Sequence, residues 1–473
     1  VRLAQERRVR LTSVPERSGP IAEELPRIRA QIGADRARLD AIHRRLAEIS
    51  AVWYPTIASL EEALAIENRK FEVWNRFGAG ARTFALEGWV PRRDRARLEV
   101  AVEQASAGRA SVYELATSET PPTFMENPRG VRFYEFFIRF YSIPEATEWD
   151  PTWIFAIAFP IFFGVMLGDA GYGLVILLVS LWMLAGFPGR TRLPRSIKGF
   201  VKLIMPPSAM RQLAWTLLPA AAIAIALGAV FNAFFGFRFL PGPPLLDPTS
   251  AQGLPKLLLL SGYIGLAMVT IGFLLGALKE YFHRHYPAAL AKVGGIAFAW
   301  GIATIGLAML RTQPYWPPTT SLPITVAFAL VISGAVLLLF EGFQGIMGLI
   351  EIISHILSYT RLVGILLASA ILAFVIDDVV ASPGGLLHSG NAGLFVFGVL
   401  ILLGGQVFNL IIGVFEPGIQ GARLIFVEHF SKFYSGNGRP FRPLGSARRH
   451  TASPFANGHA PPPPTPAPEP AAA

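Results

Sequence analysis

A mainly α-helical, multi-pass membrane protein with about eight transmembrane helices, preceded by a polar helical arm that carries a small α/β module, is the fold this sequence predicts. Three observations lead to it. Of 473 residues, 52% are hydrophobic and only 16% charged, and the mean hydropathy is +0.45, well above that of an ordinary soluble chain. From about residue 150 onward, apolar runs recur at the roughly 20-residue length that crosses a hydrocarbon core. The Lys and Arg residues behind the net charge of +10 lie between those runs and at the chain ends, where they read as topology signals and not as a nucleic-acid surface. With no cysteine, disulfides, thiolate metal sites and cysteine nucleophiles are excluded.

Residues 1–150 form the polar part. The first 50 residues are rich in Arg and Glu and contain no apolar h-region, so no signal peptide is predicted and the N-terminus is expected in the cytoplasm. Leu25, Ile28, Ile32, Leu39, Ile42, Leu46 and Ile49 recur at mostly three- and four-residue spacing, as in a coiled-coil seam. A second helical pattern follows from Leu60 to Trp74. The two helices can pair as an antiparallel rod or as a hairpin within a globular domain; periodicity does not choose between these. Thr83 to Val90 alternates toward strand character and stops at Pro91, which predicts the α/β module.

Residues 151–435 are the membrane part, with predicted spans at 152–168, 170–187, 213–237, 257–281, 289–310, 322–340, 346–376 and 392–430. The first two are one apolar stretch divided at Gly168-Asp169, because the whole is too long for one upright helix. Arg190, Arg192, Arg195, Lys198, Lys202 and Arg211 crowd the connection after the second span. Lys279, Arg284 and Lys292 flank the one after the fourth, and Arg439, Arg442, Arg448 and Arg449 follow the last. These connections are cytoplasmic by the positive-inside rule, so both termini are expected in the cytoplasm. Residues 436–473 end in PPPPTPAPEPAAA, a composition that cannot build a core and predicts a disordered tail.

Span seven carries Glu351, His355 and Arg361, with no charge from Leu362 to Ile376. Arg361 is roughly 24 Å of helix from Asp377, too far to reach the opposite interface. A central intramembrane Arg costs about 2.5–3.5 kcal/mol on insertion scales and faces a cavity or a partner. The functional reading makes it the central residue; the bland one makes it a packing residue satisfied by a neighbouring helix. Ser354, Ser358, Gly364 and Ala368 share its face, and small residues let another helix approach. A guanidinium stays protonated, so it can draw a proton from a partner's carboxyl and block leakage. His355 is either a proton relay or a packed histidine. Gln420 and Arg423, three apart near the end of span eight, share a helix face and read either as a second polar pair or as a juxtamembrane anchor. Glu280, His283 and His285 close span four, Glu341 and Gln344 end span six, and Glu351 begins span seven; these can line one aqueous half-channel. Asp169, Asp377 and Asp378 are candidate entrants on the other side, or solvated loop acids. The chain has no P-loop, Rossmann glycine pattern or HExxH motif, so no nucleotide, metal or other cofactor is expected.

GWVP at Gly88, PPTFMENP at Pro121, FGVMLGDAGYG at Phe163, SHILSYTRLVG at Ser354 and QGARLIFVEHFSKFY at Gln420, followed by GRPFRPL, together resemble the a subunit of V/A-type rotary ATPases, also called subunit I. The resemblance implies a non-catalytic stator subunit of a prokaryotic plasma membrane, with an eight-helix membrane domain whose last two long helices lie tilted against a proteolipid c-ring. It implies peripheral-stalk contacts for the arm, and a central-stalk or ring adaptor as a further partner. It places the family's essential arginine on Arg361 and its second arginine and glutamine on Arg423 and Gln420. It also leads us to expect a longer cytoplasmic region, with N-terminal sequence beyond Val1. The rival expectation is a secondary transporter that binds an anionic substrate at Arg361. Such folds show internal repeats with matched broken helices, and no convincing repeat is visible here. A plain membrane anchor would leave the buried arginine unexplained.

Overall fold

The computed structural model describes residues 21–185, 207–311, 322–388, 390–445 and 448–451. Arg190, Arg192, Arg195, Lys198 and Lys202, the first 20 residues and the proline-rich tail lie outside the described residues, as does the Gln344 side chain. The chain divides into two compact units, one formed by residues up to Ala116 together with those from Arg442, the other by Thr117–Phe441.

The first unit is built on a single helix, α1 (Ile21–Trp74), 54 residues long. The sequence suggested two helices, but no turn separates them. Pro55 lies inside the helix; it removes one intrahelical donor, yet the helix continues through it to Trp74. Leu25, Leu39, Leu46 and Ile49 of the seam are all exposed, so no antiparallel partner is formed by residues 60–74. After α1 come β1 (Gly78–Ala79) and β2 (Phe84–Ala85), an antiparallel pair in the register Gly78 to Ala85 and Ala79 to Phe84. A 12-residue helix, α2 (Arg95–Ser106), follows. The predicted strand from Thr83 to Val90 is thus confined to two residues, because only Phe84 and Ala85 meet a partner. The C-terminal segment returns to α1 within this unit. The Glu62 carboxylate accepts from the backbone N–H groups of Arg449, His450 and Thr451 and from the Thr451 hydroxyl at 2.7 Å.

The second unit begins upstream of the membrane helices. α3 (Glu135–Tyr141) turns its aromatic residues onto α4 (Thr152–Leu167). Phe137 stacks on Phe155 at 5.2 Å, and Tyr141 lies parallel to Phe426 at 4.4 Å. Then come α5 (Ala170–Leu184), α6 (Pro207–Phe231), α7 (Gly253–Phe282), α8 (Tyr286–Arg311), α9 (Leu322–Leu338), α10 (Phe343–Ser358), α11 (Arg361–Ala381) and α12 (Ala392–Arg423). Phe155, Phe163, Tyr172, Tyr359, Leu362, Leu424 and Phe430 are buried in one core that joins α4, α5, α11 and the segment after α12. Among the described residues six segments are long and apolar enough to cross a membrane, the last two being Gly345–His388 and Ala392–Lys432, of 44 and 41 residues. Two of the eight predicted spans fall short of that length. α4 and α5 have 16 and 15 residues, because Gly168, at φ +51°, and the Asp169 cap break the apolar stretch between them.

Candidate functional site

Two irregularities in the last two apolar segments build the site. The first lies between α10 and α11, where Tyr359, Thr360, Leu362 and Val363 donate to carbonyls three residues back, a tight step of 3₁₀ type. Tyr359 is fully buried, meets the Phe162 ring edge-on and directs its hydroxyl at the Leu424 carbonyl. This fixes Arg361 as the first residue of α11. Span seven is therefore not one smooth helix. The second irregularity is a six-residue π-helix, Leu424–His429, directly after Arg423. Pro417 lies a turn and a half earlier in α12, where a proline costs an intrahelical hydrogen bond.

The π turn shifts the helical register, so Leu424, Ile425, Glu428 and His429 are all buried. It brings Glu428, 2% exposed, to Arg361, with Nη1 3.9 Å from Oε1. A charge-assisted hydrogen bond would be about 2.7–2.9 Å. Arg361 Nη1 and Glu428 Oε2 are buried with no hydrogen-bond partner, and so is Oε1 of Gln420. The two charges attract each other but do not satisfy each other, which is costly at membrane depth and leaves Arg361 capacity for another acceptor. The guanidinium borders a concavity of ≈690 Å³ lined by Ser354, Leu357, Ser358, Thr360 and Gly364. Ser354, Ser358 and Gly364 of the face read from helical spacing are thus brought together beside Arg361. Arg423 is exposed on the chain and acts electrostatically on Glu428, as Arg361 does.

The half-channel candidates fall into separate groups. Glu351 accepts from Lys432 at 3.2 Å and lies 3.5 Å from Nε2 of His355, while His355 Nδ1 is buried and unpartnered. Lys432, 7% exposed, also lies over the Phe273 ring at 5.2 Å. Glu341 pairs with Lys292 at 3.1 Å. Glu280 pairs with His285 at 3.2 Å, and the His283 ring contacts the Lys279 carbonyl at 2.7 Å. Among the described residues these last contacts run along the C-terminal end of α7, not toward Arg361. Nearby, outside the membrane segments, Glu148 accepts from Lys279 at 2.7 Å and from the Ser435 N–H. Burial by itself favours its neutral form, but the Lys279 ammonium and the backbone donors outweigh it and hold the carboxyl below the usual range.

Asp169, read from the sequence as a half-channel entrant or a solvated loop acid, is buried, 6% exposed. Its carboxylate caps α5 through Gly171 and Tyr172 at 2.8 and 3.0 Å, and accepts from Phe235 and Gly236 at 3.0 and 3.1 Å. Four backbone donors, from two separate segments, thus meet on this one carboxylate. Asp377, taken as an acid of the following loop, is instead inside α11 and 7% exposed. Glu428, His429 and Lys432 are residues of the candidate site that sequence reasoning left aside, whereas Asp377 was weighed there as an entrant or a solvated loop acid. The π turn hid the first three, and the Asp377-Asp378 pair resembles a span boundary.

A model of the V-type ATPase 116kDa subunit family matches residues 2–239. The chain belongs to that family. Among its relatives, A-type ATP synthase subunit I of Archaeoglobus fulgidus is 28% identical, covering 83% of this chain and 63% of that protein. The proteins of the same name from Thermococcus kodakarensis and Methanothermobacter thermautotrophicus are 29% and 27% identical, covering 84% and 89% of this chain and 59% and 61% of theirs. This family member therefore spans about three fifths of the length of those relatives. With six segments among the described residues long and apolar enough to cross a membrane, and relatives named as subunit I of an A-type ATP synthase, it is an integral membrane protein.

Proposed function

We propose that this chain is the non-catalytic membrane stator of a V/A-type rotary ATPase or ATP synthase, and that Arg361 separates two proton half-channels facing a proteolipid ring. One observation carries the reading. A guanidinium with a buried unpartnered nitrogen stands at the start of α11, over a concavity whose small residues admit another helix. A ring carboxyl that has travelled protonated through lipid loses its proton on reaching this fixed cation, because a neighbouring positive charge favours the carboxylate. The proton leaves through one half-channel, and the carboxylate is reprotonated from the other after it passes. Glu428 holds the guanidinium in place between visits at a distance too long to saturate it. Gln420 and Arg423 support the same face from α12, and Glu351, His355 and Lys432 line the half-channel on their side.

In this reading α4 and α5 cross as a short pair, giving eight crossings with both termini in the cytoplasm of a prokaryotic cell. Peripheral-stalk and central-stalk subunits join the ring as partners, and ATP is handled by other subunits. The test is Arg361→Ala in the assembled complex. ATP-driven acidification of inverted vesicles is expected to vanish while the chain still co-isolates with a small proteolipid. Pumping at the wild-type rate, or isolation of the chain without a ring from detergent in which such complexes survive, would sink the proposal and favour a carrier that binds an anion at Arg361.

A further inference from the structure

Far along α11 from Arg361, a second buried carboxyl has its own polar surroundings. The Ser369 hydroxyl donates to Oδ1 of Asn409 at 3.2 Å, Nδ2 of Asn409 donates to the Tyr172 hydroxyl at 2.9 Å, and Tyr172 donates to Oε1 of Gln406. Nε2 of Gln406 in turn donates to Oδ1 of Asp377 at 2.9 Å. Every donor points the same way, so Asp377 is the terminal acceptor of a chain that ties α5, α11 and α12 together. Its other oxygen, Oδ2, is buried and has no partner. It abuts Gly236, where a Cβ would collide with it. Among the described residues no basic side chain pairs with Asp377; the charged neighbour that acts on it is the Asp169 carboxylate.

The chemistry selects a ligand for that free oxygen. A buried, unpaired carboxyl in a membrane domain is met by an ion pair, a metal or a proton. The first is absent among the described residues. A metal ion would require several free oxygens, but Oε1 of Gln406 and Oδ1 of Asn409 are already occupied, and no metal-binding group of His, Cys, Asp or Glu occurs among the described residues. A proton needs only Oδ2. Amide links do not relay protons, so the Ser369-to-Gln406 chain orients the acid, and Oδ2 is the atom left free to take the proton.

We infer that Asp377 is a proton-binding station of the half-channel on the side of the membrane away from Glu428, held in position by Gln406 and its hydrogen-bonded chain. The inference rests on the rotary reading and adds to it a specific residue on the second path. Asp377→Asn keeps the size and the bond from Gln406 but cannot carry a proton. In the assembled complex it is expected to lower ATP-driven acidification by about tenfold or more, and Asp377→Glu is expected to restore most of the rate. The double substitution D377N/Q406E moves the carboxyl across the same hydrogen bond, and it is expected to pump several-fold faster than D377N. A purely structural Asp377 predicts no such recovery, because D377N alone already preserves the bond. Wild-type pumping by D377N overturns the inference. If D377N does not assemble, the exchange variant decides: assembled and pumping supports a proton station, assembled and inactive excludes one. The two readings fail separately. An inactive Arg361→Ala with an unimpaired D377N removes only the station, whereas a normally pumping Arg361→Ala removes the rotary reading itself.

Discussion

Arg361 and Glu428 meet at a distance where attraction persists but hydrogen bonding is weak, and in the proposed mechanism that spacing has functional weight. A closer pair would be satisfied internally and would lose interest in a passing carboxylate; a more distant one would leave the guanidinium without a resting partner. Glu428→Gln keeps the shape and removes the charge. Arg361 should then hold the ring carboxylate longer, and coupled pumping should fall by about tenfold with assembly intact. Vesicle acidification, normalised to the amount of ring recovered, measures this; an unchanged rate would mean that Glu428 only fills space. Arg361 was legible in the sequence, because it is the sole charge in a long stretch of span seven and membrane insertion makes such a charge expensive. Glu428 was not. In EHFSKFY it sits among polar and aromatic residues that resemble an interfacial end, and only the change to π spacing turns it inward.

At the level of helices, close approach does much of the positioning. Gly228 of α6 packs against the backbone at Asp169 and Ala170, and a Cβ there would strike main-chain atoms that have no rotamer to escape to. Gly228→Val is therefore expected to destabilise the α5–α6 contact by about 1–3 kcal/mol, seen as a lower midpoint of thermal unfolding in detergent; an unchanged midpoint would show that the helices can part without cost. The hydrophobic pattern located every one of the long apolar helices, since length and composition are properties of a segment alone. It did not reveal the step at Tyr359-Thr360, which depends on Tyr359 being held by Phe162 and the Leu424 carbonyl. The same limit applies to Asp377. It accepts a hydrogen bond from Gln406, 29 residues away, and hydropathy does not register that contact. In the polar arm, the two helical patterns at Leu25–Ile49 and Leu60–Trp74 suggested two helices, but both belong to the single 54-residue helix α1.

On the scale of the whole chain, Glu62 joins parts of the sequence nearly 400 residues apart, Arg449 being 387 residues further along the chain. The Thr451 hydroxyl is the largest influence on its carboxyl, and with the three backbone donors it outweighs the opposing effect of desolvation, lowering the pKa from 4.5 to about 2. A depressed folded-state value means that the contact contributes fully above the unfolded pKa and is lost as pH falls through the folded one. Carboxyl-carbon NMR should find Glu62 still ionised at about pH 3.5; titration at the ordinary value would mean that the C-terminal segment does not rest on α1 in solution. Asp169 closes a shorter loop, and the order of synthesis gives that loop a consequence for biogenesis. Phe235 and Gly236 follow Asp169 by 66 and 67 residues, so the carboxylate emerges from the ribosome long before half of its donors exist. α4 and α5 are each too short to commit to the bilayer by themselves. If the pair crosses as proposed, it is expected to insert stably only once α6 and the donors of Phe235 and Gly236 have been made, the three helices entering together as one cooperative unit.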